Sequence, residues 1–185
     1  GPLDTGEHVI VARQMERRVN SPMTSSAGRL FDAVSALAGV RGEIDYEAQA
    51  AIELEMLADE NEGASATYPF SYAQEDGCQV VQLGDLISAV IDDVKRGTFA
   101  TTISTKFHLT VARMIVDMCR VVSNDTGIKL VALSGGVFQN RLLFRLAVDG
   151  LHEGGFRVLT HRLVPCNDGG ISLGQAAIAN FAASA

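Results

Sequence analysis

Residues 129–183 repeat one plan twice: a short apolar run, a polar loop carrying a pair of glycines, and a helix-forming stretch. Lys-Leu-Val-Ala-Leu at 129–133 has the make-up of a short buried strand, and beyond the loop Phe138, Leu142, Leu143, Leu146 and Leu151 recur at helical spacing. Phe-Arg-Val-Leu-Thr-His at 156–161 supplies the second strand. Residues 171–183, rich in alanine with Ile178 and Phe181, supply the second helix, whose small residues suit close packing on a sheet. A strand, a crossover helix and a second strand form a parallel pair, and the crossover is right-handed. Both loops then open at one sheet edge, where open α/β sheets bind their ligands. The pattern predicts an α/β fold with a ligand site made from these two loops.

The first loop runs Ser-Gly-Gly-Val-Phe-Gln-Asn from 134 to 140. Gly135 and Gly136 lack a Cβ, so the chain can turn sharply there and a ligand can approach the main chain. A nucleotide or phosphate suits such a turn, because the amides and positive end of the following helix favour an anion. Asn140, one turn in, can offer its amide to a ribose hydroxyl or a phosphate oxygen. The same residues also suit a plain tight turn with Asn140 on an exposed helix surface. Lys-Ser/Thr does not follow and GxGxxG is absent, which excludes a P-loop and a dinucleotide fingerprint. The second loop, Pro-Cys-Asn-Asp-Gly-Gly at 165–170, sets Asp168 at the mouth of the last helix. There a carboxylate can ligate a hard cation if other ligands arrive, or serve as an N-cap or Asx-turn aspartate.

The rest of the sequence reads as mainly helical. Spacing predicts helices over 9–19, 27–38, 46–59, 83–97 and 101–122, with Leu30, Phe31, Val34 and Leu37 forming the buried stripe of the second. In the last of these Phe107, Val111, Ile115, Met118 and Val122 are expected to face inward. Asp32 lies off the 27–38 stripe. Glu53, Glu55, Asp59, Glu60 and Glu62 read as a solvated face and loop, and residues 63–82 as extended segments. His108 has no partner at His-x-x-x-His spacing, so it reads as a structural or surface residue. A formal charge of −7, with no Lys/Arg cluster beyond 13–18, argues against non-specific nucleic-acid binding. Cys78, Cys119 and Cys166 show no Cys-x-x-Cys pattern, which fits a reducing cytoplasm. No apolar run approaches the roughly 18 residues that span a bilayer.

Three blocks carry a family resemblance: Thr-Ser-Ser-Ala-Gly-Arg-Leu-Phe-Asp-Ala-Val at 24–34, the 133–141 loop with Arg141, and 164–170 running into Leu173, Gly174 and Gln175. In these the sequence resembles the C-terminal, carbamoyl-transferring domain of the hydrogenase-maturation protein HypF. More distantly it is similar to the tRNA threonylcarbamoyladenosine synthases and the antibiotic O-carbamoyltransferases. The resemblance implies an actin-like lobe with a helical insertion over 4–128 and a nucleotide-binding βαβα part over 129–185, while Gly-Pro-Leu at 1–3 reads as a protease-cleavage scar. It also implies a lobe of a larger enzyme, inactive alone because one wall of its cleft is absent. By the same resemblance Asp32, Gly135, Gly136 and Asn140 contact ATP or carbamoyl-adenylate, and Asp168 ligates a divalent metal. The carbamoyl group, drawn from carbamoyl phosphate and ATP, passes to a HypE-like acceptor. The family's His-rich metal motif is missing, as His8, His108, His152 and His161 stand singly. Ala48 occupies a position where glycine is expected, and Glu53 is a candidate to face the cleft.

Overall fold

A computed structural model describes residues 5–59 and 66–183. Residues 1–3, expected to be a protease-cleavage scar, lie outside the described residues, as do Glu60 and Glu62. The helical part comprises α1 (Thr5–Arg17), α2 (Ala27–Leu37), α3 (Gln49–Leu57), α4 (Gly84–Lys95) and α5 (Ala100–Thr126), with a hairpin of β1 (Ser71–Glu75) and β2 (Cys78–Gln82) between α3 and α4. The hairpin turns on Asp76 and Gly77, both at positive φ, the two-residue Asp-Gly turn whose twist matches paired strands. That dipeptide is the sequence signal for the hairpin within a segment that otherwise reads only as extended.

α2 begins because the Ser26 hydroxyl caps it by accepting from the Arg29 amide, and it stops because Gly39 takes a left-handed conformation (φ 72°). Its expected stripe is real: Phe31 and Val34 are buried, with Leu30 and Leu37 packed at the margin. They meet Leu54 of α3, Leu86 and Val90 of α4, and Ile103 and Phe107 of α5 in one core. Each such side chain contributes about 1.5–3 kcal/mol on leaving water. A polar knot ties α4 and α5 to the chain before the hairpin. Asp93, 4% exposed, accepts from the Tyr68 hydroxyl (2.8 Å) and from Lys106 Nζ (2.6 Å), with Arg96 on its other oxygen. Burial raises the Asp93 carboxyl, but the hydrogen bonds from Lys106, Arg96 and Tyr68 outweigh it and hold the group down at about 2.

The C-terminal part adds β3 (Leu130–Ala132), α6 (Arg141–Glu153), β4 (Arg157–Leu159) and α7 (Ile171–Ala183). β3 and β4 pair in parallel with Val131 opposite Val158, as the repeated strand-loop-helix pattern predicts, and the chain is of the α/β class. α6 lies between this pair and α5, burying Leu143, Ala147 and Leu151. The helices come close together at Gly150, where a Cβ would come within 2.9 Å of Val116 Cγ2. On α5 the buried stripe runs through Val116 and Ser123 with Cys119 packed between them, so Val122 falls one position off it and is 47% exposed rather than inward. α7 also departs from expectation. It has no buried residue, and Ile178 and Phe181 are 65% and 77% exposed, because α6 takes one face of the two-stranded sheet and α7 does not return to the other.

Gly150→Val is expected to lower stability by about 1–3 kcal/mol through overpacking against Val116. Chemical denaturation measures this, and the companion change Val116→Ala should recover part of the loss.

Candidate functional site

The two glycine-bearing loops touch. The Gly135 amide donates to the Cys166 carbonyl (2.8 Å), and the Ser134 hydroxyl lies 2.9 Å from His161 Nε2. Gly135 takes φ 110° and ψ 153°, a conformation open only to glycine, so this loop-to-loop bond requires that residue. Beyond it the chain makes a 3-10 turn, Gly136–Gln139, instead of entering α6 at Phe138. The turn's own ladder starts with the Phe138 amide donating to the Gly135 carbonyl (3.1 Å), which leaves the Gly136 and Val137 amides outside it.

A cleft of about 740 Å³ lies in front of these loops, lined by Gly136, Val137 and Asn140 of the first loop and Asn167 and Asp168 of the second. Its opposite side is formed by Ser26, Ala27 and Gly28 at the start of α2, and by Glu47, Ala48 and Glu55 around α3. The structure thus brings Gly136, Asn140 and Asp168 together on one cleft. Gly135 lies behind it, bonded to Cys166. Asp32 is not among the lining residues; it sits a turn further along α2, its carboxylate 3.9 Å from Arg29.

Asp168 opens a second 3-10 turn, Asp168–Gly170, that runs into α7. The cap of that turn is Asn167, whose side chain accepts from the Gly169 amide (3.1 Å), so capping does not account for Asp168. A Cβ on Gly170 would meet the Pro165 carbonyl at 2.9 Å, which explains glycine there. Among the described residues no three His, Cys, Asp or Glu side chains gather as a cation-binding group. On this chain Asp168 is a lone carboxylate, which does not amount to a metal site.

α6 differs from the sequence expectation in a way that matters chemically. Asn140 is its N-cap, not a residue one turn in, and Oδ1 accepts from the Leu143 amide (2.8 Å). The Arg141 and Leu142 amides both donate to Glu55 Oε1, at 2.7 and 3.1 Å. Every early amide of α6 is therefore closed by the chain's own side chains, and the helix end is not open to a ligand anion. The amides left for one are those of Gly136 and Val137, and of Ala27 and Gly28 at the start of α2, where no acidic residue occupies the first turn.

The acidic residues of α3 are accordingly not a plain solvated face. Glu53 forms a two-pronged pair with Arg41 (2.7 and 2.9 Å) and accepts from Gln49 Nε2, away from the cleft. Hydrogen bonds from Arg41 and Gln49 lower the Glu53 carboxyl below its usual range. Sequence reasoning gave Glu55 no role, since a helix-closing contact 86 residues away in the chain has no local signal.

His108 was also out of reach of sequence reasoning. It is fully buried, its Nδ1 lies 2.8 Å from the Ser104 carbonyl, and its Nε2 lies 2.9 Å from Asn140 Nδ2. A carbonyl can only accept, so Nδ1 carries the proton and Nε2 accepts from the Asn140 amide. Burial pushes the His108 imidazole down from its ordinary value, against smaller opposing effects of the Ser104 carbonyl and the Glu55 charge.

Residues 2–175 match the family described as the carbamoyltransferase, Kae1-like domain, second subdomain. The chain belongs to that family. It is 36% identical over 163 residues to the carbamoyltransferase HypF of Synechocystis, covering 88% of this chain and 20% of the relative. With the carbamoyltransferase HypF homolog of Cupriavidus necator it shares 37% identity over 178 residues, 91% of this chain and 44% of the relative. A crystal structure of full-length HypF in its phosphate- and nucleotide-bound form superposes with a TM-score of 0.90 at 44% identity, over 97% of this chain and 23% of that one. HypF of T. kodakarensis, 24% identical over 97% of this chain and 23% of its own, shares the fold at a TM-score of 0.78. This HypF-family chain thus spans a minor part of the length of the relatives it matches.

Ala48, where the family resemblance calls for glycine, stands on the cleft wall in a left-handed conformation (φ 64°, ψ 6°). A Cβ in that conformation costs about 1–2 kcal/mol. Ala48→Gly is expected to leave stability unchanged or raise it by about 1 kcal/mol, the relief of strain being offset in part by unfolded-state entropy; thermal and urea unfolding measure this.

Proposed function

We propose that the cleft is half of a nucleotide site in a HypF-type carbamoyltransferase, which transfers the carbamoyl group of carbamoyl-adenylate to the C-terminal cysteine of HypE during [NiFe]-hydrogenase maturation. Support comes from one observation above the others: two loops held together by the Gly135–Cys166 hydrogen bond share a cleft with the start of α2. Amides of Gly136, Val137, Ala27 and Gly28 suit a phosphate. The carboxylates of Glu47 and Glu55, on the same cleft, suit the hydroxyls of a ribose. A nucleoside phosphate has both parts. The relatives' names, carbamoyltransferase HypF, support the reaction class.

In this reading the chain's contribution is positioning and charge stabilisation. The loop amides and Asn140 hold the adenylate so that the acceptor thiolate attacks the carbamoyl carbon. A carbon–sulfur bond forms, the bond to the phosphate oxygen breaks, and AMP leaves with the electron pair. Asp168, free of capping duty, is placed to hold a divalent cation if the rest of the parent protein supplies further ligands. No residue of this chain is needed as a covalent nucleophile. ATP and carbamoyl phosphate are the source of the adenylate, and a reducing cytoplasm is where such a thiol acceptor persists.

The test uses the full-length parent protein with ATP, carbamoyl phosphate and HypE. Asn140→Ala and Asp168→Ala should each lower carbamoyl transfer by at least about 100-fold, the scale of losing one preorganised contact to the transition state. Transfer at the unmodified rate by both variants would remove the assignment. Transfer to a tRNA or a small-molecule hydroxyl in place of HypE would move the chain to a sister activity, as its 30% identity over 116 residues to a tRNA N6-adenosine threonylcarbamoyltransferase allows.

A further inference from the structure

The geometry points to His108, buried on α5, as a positioning residue that, together with the Leu143 amide, fixes the orientation of the Asn140 carboxamide at the nucleotide cleft, a role that rests on the nucleotide reading above. The carboxamide of Asn140 has two chemically opposite ends, and a ligand phosphate needs the N–H end while a hydroxyl donor needs the oxygen. Nothing in the 3-10 turn before it distinguishes them. Two bonds do: Oδ1 accepts from the Leu143 amide at 2.8 Å, and Nδ2 donates to His108 Nε2 at 2.9 Å. His108 can accept only because its proton is held on Nδ1 by the Ser104 carbonyl at 2.8 Å. Ser104 is in turn held by its own hydroxyl, which donates to the Leu54 carbonyl of α3. The amide orientation at the cleft is therefore set by a relay running through α3, α5 and α6. One Nδ2 proton and one Oδ1 lone pair remain uncommitted for ligand.

A packing role alone does not explain histidine at this place. Its ring meets Phe31 edge-on at 5.3 Å and adjoins Phe107, and both it and these neighbours are 0–1% exposed. Leucine of similar volume would fill such surroundings without the cost of burying two ring nitrogens. The nitrogens are kept because both are bonded, and the one bonded outward reaches the cleft through Asn140.

The experiment measures ATP affinity of the full-length protein by calorimetry for the wild type, His108→Leu, His108→Gln, Asn140→Ala and the His108→Leu/Asn140→Ala double variant. Loss of the one orienting hydrogen bond in His108→Leu should weaken binding about tenfold, and it should add nothing once Asn140 is already alanine. His108→Gln, whose side-chain oxygen can accept from Asn140, should stay within about threefold of wild type. Effects of His108→Leu and Asn140→Ala that multiply, or wild-type affinity in His108→Leu, would overturn the positioning role. A second measurement does not depend on nucleotide or on the leucine variant folding. In 15N-histidine NMR of this chain, His108 should show a protonated Nδ1 and a hydrogen-bonded Nε2 whose resonance moves in Asn140→Ala. An Nε2 resonance indifferent to that change sinks the relay itself. An intact relay in a protein that binds no ATP instead removes the nucleotide reading and, with it, the ligand-facing role.

Discussion

β3 and β4 pair over three residues each, Leu130 to Ala132 against Arg157 to Leu159, and they run the same way. Because the pairing is parallel, the chain leaves both strands at the same end, and two polar loops distant in sequence arrive side by side. The Leu133 amide donating to the Leu159 carbonyl (3.0 Å) and the Gly135 amide donating to the Cys166 carbonyl (2.8 Å) extend the contact out of the sheet and into the loops. Without that alignment Asn140 and Asp168 would share no cleft, and the start of α2 would face nothing. So short a sheet does not hold itself together. α6 braces it, packed on α5 with Gly150 where the two helices come close.

The cleft's chemistry follows from which helix ends are closed and which are open. α6 spends its first amides on Glu55 and on its own cap, so the obvious anion site is already neutralised by a carboxylate of the same chain. What remains open is the Gly136 turn and the start of α2, facing across the same space. Charge is thereby sorted along the cleft, with open amides at some positions and carboxylates at others. A uniformly basic groove would bind any polyanion. This one, in the nucleotide reading proposed above, takes a ligand with a polar, uncharged part as well.

Much of this was legible in the sequence because it is local. The alternation of apolar run, glycine loop and helix predicts the parallel pair, and the Leu30, Phe31, Val34 and Leu37 spacing predicts the face α2 buries. The cleft-lining Gly136, Asn140 and Asp168 stand out for the same reason: they sit in loops whose position the pattern dictates. The rest depends on contacts between residues far apart along the chain. His108 next to Phe107 looks like any core histidine until α6 folds back to place Asn140 at its Nε2. Glu55 looks solvated until the same helix end lands on it. α7 has the composition of a packed helix and buries nothing, because small residues permit close packing without specifying a partner. Asp32 was named through resemblance alone, and its side chain lies off the cleft wall.

In the nucleotide reading, the two loops and the start of α2 form one binding surface. Titrating the isotope-labelled chain with AMP and following its backbone amides by NMR tests this most directly. Gly28, Gly136, Val137 and Asp168 are expected to shift together along a single binding curve. Shifts confined to residues away from these, or Gly136 and Asp168 responding with different affinities, would contradict it.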